Sequence, residues 1–374
     1  MEIVQTKLAH SETILEYVIS DPISYCIVLT HDRRVVVPLA SKKQVERLIA
    51  QYLKSVAEKA PARQEAHALY DVLLAPVQKA HSDRDLIIIP DGELSWIPFD
   101  ALMDDTGQYV LQSQIVTYAP SSTTLYLLRN LPKRKASGLL AVGGVPYRES
   151  GLKEAVTKLG YTPGEFWDLP SSRDEVHAAD EALRSASNMV LVESQATETN
   201  VKAAMARPFA IMHMAVHAFP SYDPDRAALV LLQDASHNED GIIEASEIVR
   251  MHLNTDLVIL SACETGIGPI QGEEGIFPLA NAFLLAGART IVSTLWQIDD
   301  KPSLVLMQRF YEHIKQGDGA ALSLAKAKRD LLHEFGPQSA PYYWAAFIAE
   351  GSSDSFEAMR ANPRLPRETA VSLH

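Results

Sequence analysis

The run 257–261, LVILS, is apolar and mostly branched, with no polar alternation. A strand with one wet face would alternate, so this run fits a strand buried on both faces, as in a parallel sheet. DLIIIP (85–90), GLLAVGGV from Gly138, NMVLVES, FAIMHMAVHA and RTIVSTLW repeat the pattern. From Gly138 onward the runs alternate with helical stretches. These are SSRDEVHAADEALR, with Ser172 as its expected cap, TETNVKAAMA, the short IEASEIVRM, and later 302–315 and 320–334. Such alternation predicts an α/β fold with a largely parallel sheet and helices on both faces. YYWAAFIAEG is expected to return as the last strand. AALVLLQ reads either as one of the series or as half of a hairpin with the residues around Gly241.

The first part of the chain reads differently. ILEYVIS, SYCIVLT and RRVVVPL, within 13–39, predict a small antiparallel meander, followed by helices over 42–59 and 63–79. After DLIIIP, the stretch DGELSWIPFDALMD predicts a tight, packed, hairpin-like loop. LPKRKAS (131–137) is the most basic and least apolar window of this half and marks the expected boundary between subdomains 1–135 and 136–351. Its basic residues Lys133, Arg134 and Lys135 are read as a solvated connector, since no aromatic residues interleave them. The tail 352–374 is polar, contains proline and is expected to be mobile.

Composition narrows the function. The 374 residues carry 34 basic and 47 acidic side chains, a net charge of -13, which disfavours nucleic acid or an anionic membrane as a direct partner and would attract a basic substrate segment. With only two cysteines there is no disulfide framework or four-cysteine zinc site to infer. No window has the apolar length of a membrane span and no signal peptide is evident, so a cytoplasmic location is expected. Cys26, inside an apolar run, is read as core.

Cys263 stands at the end of the 257–261 strand, ahead of Gly266, Gly268, Gly272 and Gly275 and a helix. In open α/β sheets that strand-to-helix turn is where reacting groups are presented. A thiol there becomes a nucleophile when a histidine accepts its proton. His217, ending FAIMHMAVHA, is the candidate base, because neighbouring strands would bring both to the same sheet edge. Cys263 follows it by 46 residues, close to the roughly 50-residue interval of caspase-type proteases. His213 is expected on the same strand face as His217 and is read as an interior histidine with its hydrogen bonds satisfied. No HExxH pattern accompanies the pair, and GIGPIQGEEG lacks the Lys-Ser or Lys-Thr of a phosphate loop, so neither metal nor cofactor is implied.

The chain resembles the CHAT domain, a caspase-like peptidase module related to separase and often found behind tetratricopeptide repeats. The resemblance rests on DLIIIPDGELSWIPFDALMD, HMAVHAF, LVILSACETGIG with GEEGIFPLANAFLLAGART, and STLWQIDD with PYYWAAFIAEG. It implies a caspase-like catalytic subdomain over 136–351 with a pseudo-protease-like companion before it. It further implies a cysteine endopeptidase with the dyad on Cys263 and His217, a protein or peptide substrate, and an oxyanion held by the amides of Ala218 and Cys263. The family usually has glycine after the histidine. Ala218 would either strain that amide or be tolerated, and loss of activity would leave an interaction module instead. A small-molecule acyl hydrolase using the same dyad would need a deep apolar pocket. Asp299, Asp300 or Glu264 could line a pocket selecting Arg or Lys before the scissile bond. The residues before Ile14 are too few for one repeat of about 34 residues, so either this is a stand-alone module or a regulatory protein partner supplies control.

Overall fold

The computed structural model describes residues 2–81, 85–132, 134, 136–149, 157, 168–219, 227–234, 239–261, 277–296, 298–336 and 339–352. Its centre is one eleven-stranded sheet. The strands are β1 (Glu12–Val18), β2 (Ser24–Thr30), β3 (Arg34–Leu39), β4 (Asp85–Ile89), β5 (Val116–Tyr118), β6 (Leu139–Gly143), β7 (Met189–Val192), β8 (Ile211–Met214), β12 (Leu257–Leu260), β13 (Thr290–Thr294) and β14 (Phe347–Gly351). They lie in the order β3-β2-β1-β4-β5-β14-β13-β12-β8-β6-β7. The remaining three, β9 (Ala218–Phe219), β10 (Ala228–Val230) and β11 (Ile242–Glu244), form a separate small sheet with β10 in the middle.

Pairing follows the sequence pattern. The meander β1-β2-β3 is antiparallel, and β14 runs antiparallel to β13. The other neighbours are parallel. Every residue of β6, β8, β12, β13 and β14 is buried, as non-alternating strands require. The two halves of the chain share this sheet, because β5 lies beside β14.

Helices cover both faces. On one lie α1 (Lys42–Ala57), α2 (Arg63–Leu73), α4 (Pro170–Leu183), α7 (Asp300–Lys315) and α8 (Ala320–Phe335), all contributing to one large core. On the other lie α3 (Ser122–Asn130), α5 (Glu198–Met205) and α6 (Phe277–Ala286). In α1, Val45, Ile49, Tyr52 and Val56 are buried at spacings of four, three and four, the stripe by which an amphipathic helix meets a sheet. Cys26 is wholly buried in β2, and burial pushes its thiol far above the ordinary range, so it is core.

Several local expectations change. DGELSWIPFDALMD is built from two 3₁₀ turns, Gly92–Trp96 and Phe99–Ala101, rather than a hairpin. The second carries Asp100, which pairs with the buried Lys328 of α8 at 2.5 Å. Ser172 lies inside the first turn of α4, where its hydroxyl donates to Leu169 O and accepts from Gly144 N. Arg134 is no solvated connector: its guanidinium donates to the carbonyls of Leu253, Thr255 and Gly287. Arg289 answers by donating to Leu131 O and Pro132 O, both at 2.5 Å. A charge count cannot reveal that a guanidinium has turned inward onto loop carbonyls. AALVLLQ belongs to the hairpin, with β10 antiparallel to β11.

Candidate active site

The parallel strands β6, β8, β12 and β13 end along one edge. Val142 of β6, Met214 of β8, Leu260 of β12 and Ser293 of β13 stand in register across the sheet. The chain leaves each strand at its carboxyl end. His217 comes three residues after Met214, Cys263 three after Leu260, and Asp299 five after Thr294. Cys263 and Glu264 lie outside the described residues. Asp300 opens α7.

FAIMHMAVHA is not one strand. β8 stops at Met214, and the chain crosses over Ala215, Val216 and His217 into β9 of the small sheet. The two-residue period therefore does not carry from His213 to His217, and the two rings meet different surroundings. His217 is buried, its imidazole tilted on the Tyr147 ring at a centroid distance of 4.5 Å. Its N–H donates to the Tyr147 hydroxyl at 2.8 Å, and its carbonyl accepts from Val230 N at 2.8 Å.

Ala218 sits opposite Leu229 in the β9–β10 pair. The bond from Val230 N to His217 O makes this a non-hydrogen-bonded pair, so the Ala218 N–H points away from β10, toward the side of β9 that pairs with no strand among the described residues. Ala218 is not among the residues with positive φ. Its backbone is an ordinary strand, so the methyl group imposes no strain there.

His213 faces α4 and α7. Its Nε2 is 2.8 Å from Glu175 Oε1 and its Nδ1 is 2.9 Å from the Tyr311 hydroxyl, so both ring nitrogens are engaged. Ser303 donates to the other oxygen of Glu175 at 3.3 Å, and the Ser303 hydroxyl lies 3.3 Å from that of Ser261. Ser261 is two residues before Cys263, so this buried network holds the exit of β12 against the first turn of α7. Burial also drives the Tyr311 phenol well above its ordinary range, keeping it neutral. Neither Glu175 nor Ser303 belongs to any motif in the sequence, and only their position in the fold reveals them.

A second network holds the small sheet. The buried Glu198 carboxylate accepts from Gly241 N at 2.7 Å and Ile242 N at 3.2 Å, and pairs with Lys202 at 2.5 Å. Lys202 also reaches Glu239 and Glu247, at 3.1 and 2.7 Å. These bonds fix β11 and, through β10, the strand that follows His217.

Asp299 is a surface carboxylate, half exposed, and the ammonium of Lys59 lies 2.8 and 3.1 Å from its two oxygens. The Tyr342 hydroxyl donates to it at 3.2 Å, and the Lys59 ammonium sits 4.5 Å from the centre of the Tyr342 ring. The hydrogen bond to Asp299 raises the Lys59 pKa. Among the described residues, two groups have atoms close enough to share a metal ion, His10 with His31 and Asp32, and His67 with Asp71 and Asp105. Neither includes His213 or His217.

A model of the CHAT domain family matches residues 63–352. The chain belongs to the CHAT domain family. The human protein "Tetratricopeptide repeat protein 28" is 26% identical over 340 residues, a match that covers 78% of this chain and 13% of that protein. Its mouse counterpart is 25% identical with the same coverage. The chain thus spans a small part of the curated relatives it matches. Among solved structures, separase from Saccharomyces cerevisiae, in its complex with securin, aligns with a TM-score of 0.52 at 9% identity, covering 94% of this chain and 30% of that one. The Arg specific cysteine proteinase gingipain R aligns at a TM-score of 0.45 and 9% identity, covering 83% and 74%. This CHAT domain therefore has a mixed α/β fold similar to that of the aligned part of separase, and no helix among the described residues is long and apolar enough to cross a membrane. The family match starts at Arg63, yet the meander before it is part of the same sheet, through β1 and β4.

Proposed function

We propose that this CHAT domain is a cysteine endopeptidase in which His217 and Cys263 form the dyad. The observation that carries this reading is the register of Met214 opposite Leu260, since in the sequence His217 follows the one by three residues and Cys263 follows the other by three. In the reaction His217 takes the thiol proton and the thiolate attacks the scissile carbonyl carbon. The resulting oxyanion is received by the backbone amides of Ala218 and Cys263. The imidazolium then protonates the leaving amine as the C–N bond breaks, leaving a thioester. Water, deprotonated by His217, hydrolyses it and restores the thiol. A positioned general base contributes about 10²- to 10⁴-fold, and one oxyanion donor about 10²- to 10³-fold.

A basic residue before the scissile bond fits the chemistry around Asp299, where a carboxylate and the Tyr342 ring already hold the ammonium of Lys59. Asp300 and Glu264 remain further acids for that pocket. Cysteine usage supports a cytoplasmic location as part of the proposal. A regulatory partner is part of the proposal, given that the separase structure it resembles is a complex with securin.

The test is labelling with a peptidyl acyloxymethyl ketone carrying Arg next to the electrophile, mapped by mass spectrometry in wild type, Cys263→Ala and His217→Ala. Modification of Cys263 that is lost in His217→Ala is the expected result, with buried Cys26 unmodified as an internal control. Labelling of Cys263 indifferent to His217 would discard the dyad. The CHAT fold would then be serving as an interaction module, a reading favoured by the complete burial of His217.

A further inference from the structure

Tyr147 belongs to none of the motifs that mark the family, yet it touches His217 twice. It lies four residues beyond the end of β6 and is buried. Its hydroxyl accepts from His217 N at 2.8 Å and donates to Val230 O at 3.0 Å. The direct bond from Val230 N to His217 O, at 2.8 Å, is present. In an antiparallel ladder two such residues exchange both bonds. Here one bond is direct and the phenol oxygen is inserted into the other, one acceptor and one donor matched to the two groups it separates.

Two hydrogen bonds in series span up to about 6 Å where one direct bond spans about 3 Å. The Tyr147 hydroxyl is therefore a wedge that holds the His217 backbone off β10, at the point where the chain passes from the main sheet to the small one. The same ring lies against the imidazole at 4.5 Å and 56°. Backbone spacing and ring tilt of His217 thus have one common support. The Ala218 N–H belongs to the next peptide unit, whose His217 carbonyl is held directly by Val230 N.

We propose that Tyr147 is a positioning residue that sets the location and tilt of His217, an inference that rests on reading His217 as the general base of Cys263. Without the hydroxyl, either the ladder closes and carries His217 toward Val230, or a buried N–H and C=O are left without their bridge. A displacement of the order of 1 Å costs about 10²-fold in a reaction that depends on alignment. A side chain that only fills the core would leave the thiol's titration unchanged when its oxygen is removed.

The experiment follows alkylation of Cys263 in the full chain by iodoacetamide from pH 5 to pH 9, read by mass spectrometry, in wild type, Tyr147→Phe, His217→Ala and Tyr17→Phe. Tyr17 is a matched control, a buried tyrosine whose hydroxyl donates to Leu73 O at 3.2 Å in the first half of the chain. Tyr147→Phe is expected to slow alkylation at pH 6 by about tenfold or more, and to move the profile toward that of a free thiol near about 8.5. Tyr17→Phe should follow wild type. Incorporating 4-aminophenylalanine at position 147, which returns a donor to the same place, should recover most of the loss, and it keeps the test decisive if Tyr147→Phe folds poorly by near-ultraviolet circular dichroism. A wild-type profile in Tyr147→Phe, with reactivity still lost in His217→Ala, overturns the positioning role and leaves the dyad standing. A wild-type profile already identical to that of His217→Ala removes the dyad, and the role of Tyr147 with it.

Discussion

Replacing Glu350 with Gln should remove a pH dependence from the stability of this protein. Glu350 lies on β14 opposite Ile291, fully buried, and neither carboxyl oxygen has a hydrogen-bond partner among the described residues. Burial alone raises its pKa from 4.5 to about 8. Below pH 4.5 both folded and unfolded chains keep the proton, and the group contributes no pH dependence. Between pH 4.5 and 8 the unfolded chain has released it and the native one has not, so rising pH favours unfolding, by about 1.4 kcal/mol per unit. At pH 7 the accumulated cost is about 3 kcal/mol, which for a chain of this length is roughly 4 °C in Tm. Above pH 8 the native carboxyl ionises too, and the loss levels off. The assay is urea unfolding followed by tryptophan fluorescence, for wild type and Glu350→Gln, at each half unit from pH 5 to 9. The gain in stability of the variant should grow across pH 5 to 8 and then flatten. A gain that does not change with pH would refute the reasoning, because it would mean that Glu350 ionises alike in both states.

Two further outcomes follow from the fold. Lys328→Met should destabilise by about 3–5 kcal/mol in the same urea assay, because it strands the Asp100 carboxylate in the core, and Lys328→Met with Asp100→Leu should regain much of that. A single-variant loss no larger than that of the exposed Lys54→Met would show the pair to be unimportant. Ala218→Gly should lower stability by about 0.5–1 kcal/mol and leave the rate of labelling by the Arg-bearing ketone unchanged, since the Ala218 backbone is an ordinary strand. A faster rate in the glycine variant would indicate that the reacting state needs a backbone alanine resists.

Legibility differed between elements for physical reasons. Strands such as β4 and β12 are buried on both faces, so hydrophobicity alone reveals them, and the meander carries its turns in its own residues. The end of β8 was invisible. FAIMHMAVHA is apolar throughout, and the break after Met214 depends on Tyr147 and Val230, which lie 70 residues before and 13 residues after His217. Similarly, His213 reads as an interior histidine, but Glu175 and Tyr311 become its partners only when α4 and α7 pack together. Arg134 looked solvated because composition records its charge and not the carbonyls its stem reaches. The shared edge at which β8 and β12 end was legible from the strand pattern, since parallel strands present their carboxyl ends along one edge.

The position of β14 sets an order of events during synthesis. Residues 347–351 emerge after every other strand of the sheet, yet they occupy its middle, between β5 and β13. While the ribosome is still short of them, the first five strands and the last five described before β14 can each assemble separately, with nothing between them to complete the row. Joining is a long-range step, made late and across more than two hundred residues of chain between β5 and β14. The sheet on which β8 and β12 end side by side is therefore finished by an insertion at its centre, and a nascent chain arrested before Phe347 should expose two facing strand edges to chaperones.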